Sequence, residues 1–482
     1  MKPTTKKALV LSLTLSFFGL TACEKNFDTI NANPNDPVSL PAELLMPHAI
    51  RITANSVVGG SLGLDVGPLW SQHLARIQYT EIDQFNFTTD TQDTPWLNMY
   101  IEANASYQKI IDLGKSSGNE NYQAIGLIMR SYVFSQLTDV YGDIPYKEAL
   151  LGTQGTVYPK YDTQKDVYAG LVAELKTASD LINTKAVNAD GDILFKGDMS
   201  KWKKFANSLS LRLLNRMLGK ADAPTAKTEM ERILSDPTKY PIMASNADNA
   251  QLVYLAAAPN NNPINQNRKT RDDHRVSKTL VDKLKGLNDP RLAIYAKKPE
   301  SGGDYVGVPN GLGNVDAGNL GLTKTSKIGD YFVAATTPGM LMSFAELNFI
   351  KAEAALKGVT AAGEAAKAYE DGIKASMSQF GVTLPADYLT VNKLATGDAA
   401  RTQVLEQKWL ALFGQEIEAW TEFRRTGIPA LKAPTQNYNA GMIPTRLPYP
   451  SSEENLNGPN FKAALAAMGG ANTMQTKLWW AK

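Results

Sequence analysis

The spacing Gly59-Gly60-Ser61-Leu62-Gly63 fits the G-x-S-x-G pattern, in which a serine on a sharp strand-to-helix turn attacks a carbonyl. That chemistry needs a histidine base and a preceding strand. The chain has three histidines, His48, His73 and His274, and no strand-helix alternation surrounds Ser61, so the segment reads as a flexible turn. Three separated histidines without an H-E-x-x-H pair also argue against a zinc site. Asn188, Asp190 and Asp192 begin like a calcium loop, but the twelfth position is Met199, where a bidentate acid is required. A turn is the expected structure there. Glu416, Glu418 and Glu422 offer the carboxylates that glycosidic general acid–base chemistry uses. Glu418 and Glu422 lie one helical turn apart with Arg425 three residues on, so solvated or partly buried ion pairs are expected instead. Gly311-x-Gly313 lacks the third glycine and the preceding strand of a dinucleotide loop. The sequence thus carries no catalytic set, and neither metal nor cofactor is expected.

Binding chemistry is better represented. Sugar rings stack on aromatic faces and present hydroxyls at their edges, so a sugar-binding site would combine aromatic side chains with polar ones. Trp70, Gln72, His73, Arg76, Tyr79, Phe85, Phe87 and Trp96 flank the polar loop TEIDQFNFTTDTQDTP and form the densest such concentration. Trp96 and Tyr100 are one helical turn apart, which favours a core pair, and Trp70 stands between the two readings. Central candidates are Asn262, Arg268, Arg271 and Tyr305, for which the alternative is a solvated loop. Aromatic platforms suit an oligosaccharide, while the central Arg and Asn side chains could equally hold peptide carboxylates and amides.

Cys23 is the only cysteine, and it follows Leu20-Thr21-Ala22. Lys2, Lys6 and Lys7 form a basic start and Ala8 to Leu20 an apolar run, too short for the roughly 20 residues of a membrane span. The pattern resembles a bacterial lipoprotein signal: residues 1–22 are cleaved and Cys23 is lipidated, several acyl chains together giving stable anchoring. Residues 23–40 then read as a polar, turn-rich tether. Losing three lysines and no acid brings the formal charge of +2 to −1, which leaves no electrostatic footprint for nucleic acid.

The elements that must position these residues are mainly helices. Ile125, Ile128, Met129, Tyr132, Val133, Leu137, Val140 and Tyr141 recur at helical spacing, as do Val167, Tyr168, Leu171, Val172, Leu175, Leu181 and Ile182. Further amphipathic stretches fall at about 96–114, 198–219, 274–286, 340–357, 361–380 and 400–425. Several pair across short turns, such as Gly118-Asn119 and Gly358, and the pair from Met340 to Phe380 is closest to a tetratricopeptide unit. Residues 256–338 differ, being rich in Asn and Gly with strand-like Tyr305-Val306 and Tyr331 to Ala334, and 431–456 is a second Pro-, Asn- and Tyr-rich excursion. Trp479 and Trp480 are expected to pack against the body, and the block from Tyr141 to Tyr146 to form a locking turn.

Seven blocks in order resemble the SusD/RagB family of nutrient-binding outer-membrane lipoproteins, in its SusD-like branch. They are RSYVFSQLTDVYGDIPYKEAL from Arg130, PKYDTQKDVYAGLVAEL from Pro159, FKGDMSKWKKFANSLSLRLLNRM from Phe195, NDPRLAIY from Asn288, SFAELNFIKAEAALKG from Ser343, WTEFRRTGIPAL from Trp420 and IPTRLPYPSSEENLN from Ile443. The resemblance implies a mainly α fold: an α-superhelix of tetratricopeptide-like helix pairs with an irregular loop-rich face and a few short strands. It implies one domain over 41–482 with a loop-rich insert at about 256–338. It further implies a lid without catalytic activity that captures an oligosaccharide or peptide for a partner TonB-dependent, SusC-like barrel, anchored at the outer membrane and facing the exterior. The blocks are structural, so no ligand residue carries over. Two other classes stay open: a helical-repeat scaffold without small ligand, against which the insert argues, and a secreted hydrolase, which would need a catalytic pair.

Overall fold

The computed structural model describes residues 40–185 and 189–482. The leader, Cys23, residues 23–39 of the tether and Asn188 lie outside the described residues. Residues 42–482 form one compact unit. Its principal helices are α1 (Ala42–Val58), α2 (Thr89–Leu97), α3 (Ala105–Ser117), α4 (Glu120–Tyr141), α5 (Gln164–Leu181), α6 (Met199–Met217) and α7 (Ala226–Ser235). They continue with α8 (Lys278–Gly286), α9 (Phe344–Leu356), α10 (Ala365–Gln379), α11 (Asp398–Ala411), α12 (Glu416–Thr426) and α13 (Gly458–Met468). The fold is mainly helical, as the resemblance implied.

Local chemistry sets the helix ends. Asn119, Thr163, Asp198 and Ser343 precede α4, α5, α6 and α9, and each side chain accepts a hydrogen bond from a first-turn backbone N–H. Consecutive helices pack as pairs, α3 with α4, α4 with α5, α5 with α6 and α9 with α10. The α9–α10 pair shows why: a side chain at Gly372 would come within 2.8 Å of the Phe349 ring, so only glycine admits that approach. Asp192, one of the calcium-loop residues, accepts hydrogen bonds from the backbone N–H groups of Leu194, Phe195 and Gly197 and from the Trp202 indole, so it builds the turn before α6.

The expected ion pairs on α12 are present but fully buried rather than solvated. Arg212 pairs with Glu346 at 2.6 Å, Arg216 with Asp139 at 2.5 Å and with Glu418, Lys408 with Glu422 at 2.9 Å, and Arg425 with Glu353 at 2.6 Å. The lattice ties α4, α6, α9, α11 and α12 together. Such pairs add little net stability, but removing one partner costs about 3–5 kcal/mol because a charge is left buried alone. Trp480 joins it by donating to Asp139 at 3.1 Å, while Trp479 packs on Tyr168, so both C-terminal tryptophans fold onto the body.

Among the described residues, six short strands form three two-stranded antiparallel sheets: β1 (Leu74–Arg76) with β5 (His274–Val276), β2 (Ile144–Pro145) with β3 (Tyr161–Asp162), and β4 (Ala250–Leu252) with β6 (Gly339–Met342). Three expectations are corrected here. The helix expected from 274 starts at Lys278, because 274–276 pairs with β1. Tyr331 to Ala334 is no strand: Asp330–Val333 is a helical turn, with Tyr331 and Phe332 packed on Phe380. The helix expected over 400–425 is broken between α11 and α12, where Gly414 adopts a φ of 89°. The turn after α4 locks as expected: Leu447 N–H donates to Val140 and the Arg446 Nε–H to Tyr141.

Candidate functional site

The β1–β5 ladder pairs Leu74 with Val276, Ala75 with Arg275 and Arg76 with His274. Its bonding continues one step further, the Ile77 N–H donating to Asp273 O at 2.8 Å. The same register carried outward sets Tyr79 opposite Arg271, and there the Arg271 guanidinium lies 5.1 Å from the centre of the Tyr79 ring. Tyr79 is 59% exposed. Two residues of separate loops, 192 positions apart in sequence, thus meet at the open end of a two-stranded sheet.

The loop that carries Tyr79 is under conformational constraint. Tyr79 and Phe85, with φ of 54° and 67°, bracket the tight turn Thr80–Gln84. Left-handed conformations in bulky residues cost energy and persist only where the surroundings hold them. Here the holding groups are identifiable. The Asp83 carboxylate accepts from the Arg76 N–H at 3.0 Å and the Asn310 amide at 2.9 Å. Asn314 accepts from the Thr80 N–H at 3.1 Å and donates to Glu81 at 2.8 Å. Gln84 donates to Gly311 O, and the Tyr438 N–H donates to Gln84 O at 2.8 Å. At Gly311 a side chain would meet Pro434 at 2.2 Å, so glycine is what lets the 431–442 loop close over this turn.

Beneath lies a buried charge lattice. Arg76 bridges Asp273 at 3.1 Å and Asp65, and His274 Nε2–H donates to Asp65 at 3.0 Å. Burial lowers the His274 imidazole pKa, against the opposing pull of Asp65. Burial alone would raise Asp65, but His274 and Arg76 outweigh it and hold the carboxyl below its ordinary value. Asp83 goes the other way: burial pushes it up to about 6 despite its hydrogen bonds. Around the rim Tyr79, Tyr438, Val315, Asn314 and Glu81 remain exposed. The face therefore presents aromatic rings beside a guanidinium, an amide and a carboxylate, which suits a ligand with flat apolar faces and hydroxyl or acetamido edges.

The residues singled out from sequence separate into three groups. Tyr79 and Arg271 are brought together at the surface. Arg76, Gln72 and Asn262 are internal ties: Gln72 donates to Lys432 O at 2.6 Å and accepts from Thr279, and Asn262 caps the turn Pro263–Arg268 and donates to Thr337 O at 2.9 Å. They position loops and do not face a ligand, which corrects the expectation for Gln72 and Asn262. Trp70 is corrected too. It is wholly buried, packed between Phe85, Phe87 and Trp420 with its indole N–H donated to Ile82 O at 3.1 Å. Its sequence neighbourhood signalled an aromatic site; its own ring is the floor beneath that site's loop. Trp96 is buried against Tyr100, Tyr141, Tyr161 and Tyr449 and edges a separate groove. Tyr305 stands apart, half-buried, with Lys298 5.7 Å from its ring centre. Arg268 pairs with the partly exposed Asp272.

Tyr438, Asn314 and Val315 went unnamed in the sequence reading. The Pro- and Asn-rich composition of 431–456 marked the loop carrying Tyr438, but nothing local told that it crosses onto residues 79–84. No hydrolytic set assembles among the described residues. Both ring nitrogens of His73 are occupied, by Glu416 at 2.7 Å and Trp409 O at 3.0 Å, and His48 pairs with Glu102 at the surface. No group of three metal-ligating side chains occurs among the described residues.

The chain matches, over residues 34–450, the family model SusD-like_2, described as starch-binding and associating with the outer membrane. Among solved structures, one named as a chitin-binding protein is 28% identical with a TM-score of 0.79, covering 91% of this chain and 99% of its own. A chitin-binding SusD homologue from Flavobacterium johnsoniae is 26% identical with a TM-score of 0.80, the coverages being 92% and 98%. A SusD homologue from Bacteroides uniformis is 26% identical, also with a TM-score of 0.80, covering 91% and 99%. No curated protein sequence matches. The family is one of binding proteins rather than enzymes, and its description carries an association with the outer membrane. No described helix is long and apolar enough to cross a membrane. With the family model matching most of its length and the helical fold shared throughout, the chain belongs to the SusD-like family.

Proposed function

We propose that the protein binds an oligosaccharide at the cell surface, on the face built by Tyr79 and Arg271, and that chitin-type oligomers are the first ligands to test. The observation that carries this reading is the exposed Tyr79 ring under a guanidinium, on a loop pinned by a buried lattice. A pyranose stacks on such a ring while its edge meets Arg271, Asn314 and Glu81. The chitin-binding names of two similar structures support the choice of glycan over peptide. On the same reading Cys23 carries a lipid anchor, residues 23–40 tether the body, and the domain from 41 acts as the outward-facing lid of a TonB-dependent, SusC-like transporter at the outer membrane.

Calorimetric titration of the mature chain with chito-, malto- and cello-oligosaccharides tests the ligand class. Saturable binding to one series supports the reading; silence across all three contradicts it. Gentle purification of the native protein tests the rest: a co-purifying barrel and an acylated Cys23 are expected, and a soluble, unacylated protein without a barrel would overturn the lid.

A further inference from the structure

A second surface lies apart from the glycan face. A groove of 530 Å³ is bounded by α2, the helical stretch Asn98–Asn104 that continues it, the 145–159 loop and the turn Ser451–Leu456. Five of its side chains, Leu97, Ile101, Val157, Tyr158 and Leu456, are large, apolar and between 45% and 70% exposed. Single exposed apolar residues need no explanation, but several gathered in one concavity mark an interaction surface. Trp96 and Tyr100 form the inner aromatic wall.

Of the polar lining residues Ser452, Glu453, Asn455 and Asn457, the charged one selects the occupant. Glu453 lines the groove and accepts a hydrogen bond from the Tyr161 hydroxyl. Burial raises its carboxyl pKa, and donors from Tyr161, Asn457 and Trp96 only partly offset this, with no Lys or Arg among the described residues acting on it. The neighbouring acids are satisfied, Glu148 by Lys160 and Asp162 by Lys147. A half-buried carboxylate without a cationic partner among the described residues, beside aromatic rings and aliphatic side chains, is complementary to a cationic side chain with apolar neighbours.

We propose that this groove docks a polypeptide segment of a partner protein, one that inserts aliphatic side chains beside Leu97, Ile101, Val157 and Leu456 and sets a Lys or Arg against Glu453. The docking surface is independent of the glycan face, so either can fail alone.

Selection of a random dodecapeptide phage library on the immobilised mature chain tests it, with Glu453→Gln, Glu453→Lys and Leu456→Ser in parallel and their unfolding midpoints compared. Wild type should enrich peptides carrying Leu, Ile, Val or Phe within two residues of Lys or Arg. A synthetic winner should bind at least tenfold more weakly to Glu453→Gln and to Leu456→Ser, and Glu453→Lys should lose the cationic preference. Tyr79→Ala should leave peptide binding unchanged. No enrichment over the variants, winners lacking a cation, or displacement of the winner by chitohexaose would each overturn the proposal.

Discussion

The two solvent-facing aromatic surfaces differ less in their rings than in what surrounds them. At the Tyr79 face the ring is exposed and its neighbours are Arg271, Asn314 and Glu81, on loops drawn from three parts of the chain. At the groove the rings of Trp96 and Tyr100 are recessed, the rim is Leu97, Ile101, Val157, Tyr158 and Leu456, and the Glu453 carboxylate stands without a cation among the described residues. Neighbouring chemistry, rather than the presence of tryptophan, decides the class of ligand each can hold. Trp70 makes the point from the opposite side: the ring that looks most like a platform in sequence is sealed among Phe85, Phe87 and Trp420.

The strongest way to break this comparison is to truncate the buried ring. Trp70→Ala should cost about 3–5 kcal/mol of stability, read as a lower denaturant midpoint, while the folded fraction still binds glycan. The milder Trp70→Phe should keep the fold and the full affinity; loss of affinity in that folded variant would return Trp70 to the ligand surface.

Next in size is the pH dependence of the lattice under the face. The Asp83 carboxyl is raised by burial from 3.8 to about 6 in the folded state. The folded protein therefore holds that proton more tightly than the unfolded chain, and the resulting stability is present below pH 4 and lost as pH rises through 6. A shift of about two pH units corresponds to about 3 kcal/mol. The unfolding free energy of wild type relative to Asp83→Asn should fall by up to that amount between pH 4 and pH 7. A flat difference would mean that Asp83 does not titrate in the fold.

Smaller effects sharpen the face itself. Tyr79→Ala should weaken glycan binding about tenfold, near 1.4 kcal/mol, with the unfolding midpoint unchanged because the ring is exposed. Arg271→Ala should cost about 0.5–1.5 kcal/mol, the net worth of a hydrogen bond, measured by the same titration. If Leu456→Ser weakened glycan binding as much as Tyr79→Ala, the two surfaces would have to be one.

Much of the fold was legible because helices announce themselves by period and caps. The stripes of α4 and α5, the pair α9–α10 and the turn after α4 follow from local spacing. The β5 strand was misread because its residues continue an amphipathic pattern into α8, and only pairing with β1, some 200 residues earlier, makes them extended. The site was half legible for the same reason. Tyr79 and Arg271 were each visible as candidates, yet their meeting depends on a three-residue ladder that no local signal encodes. Gln72 and Asn262 looked like ligand groups because amides serve loop closure and ligand binding equally well. Glu418 and Glu422 were read correctly as paired, but their burial depends on Arg212, Arg216 and Lys408 arriving from other helices.

The most direct test is calorimetric titration of wild type, Tyr79→Ala and Trp70→Phe with chitohexaose, alongside thermal unfolding of all three. Binding by wild type and Trp70→Phe, with at least a tenfold loss in a fully folded Tyr79→Ala, is the predicted result. Equal affinity in Tyr79→Ala and wild type would contradict a glycan site at this face.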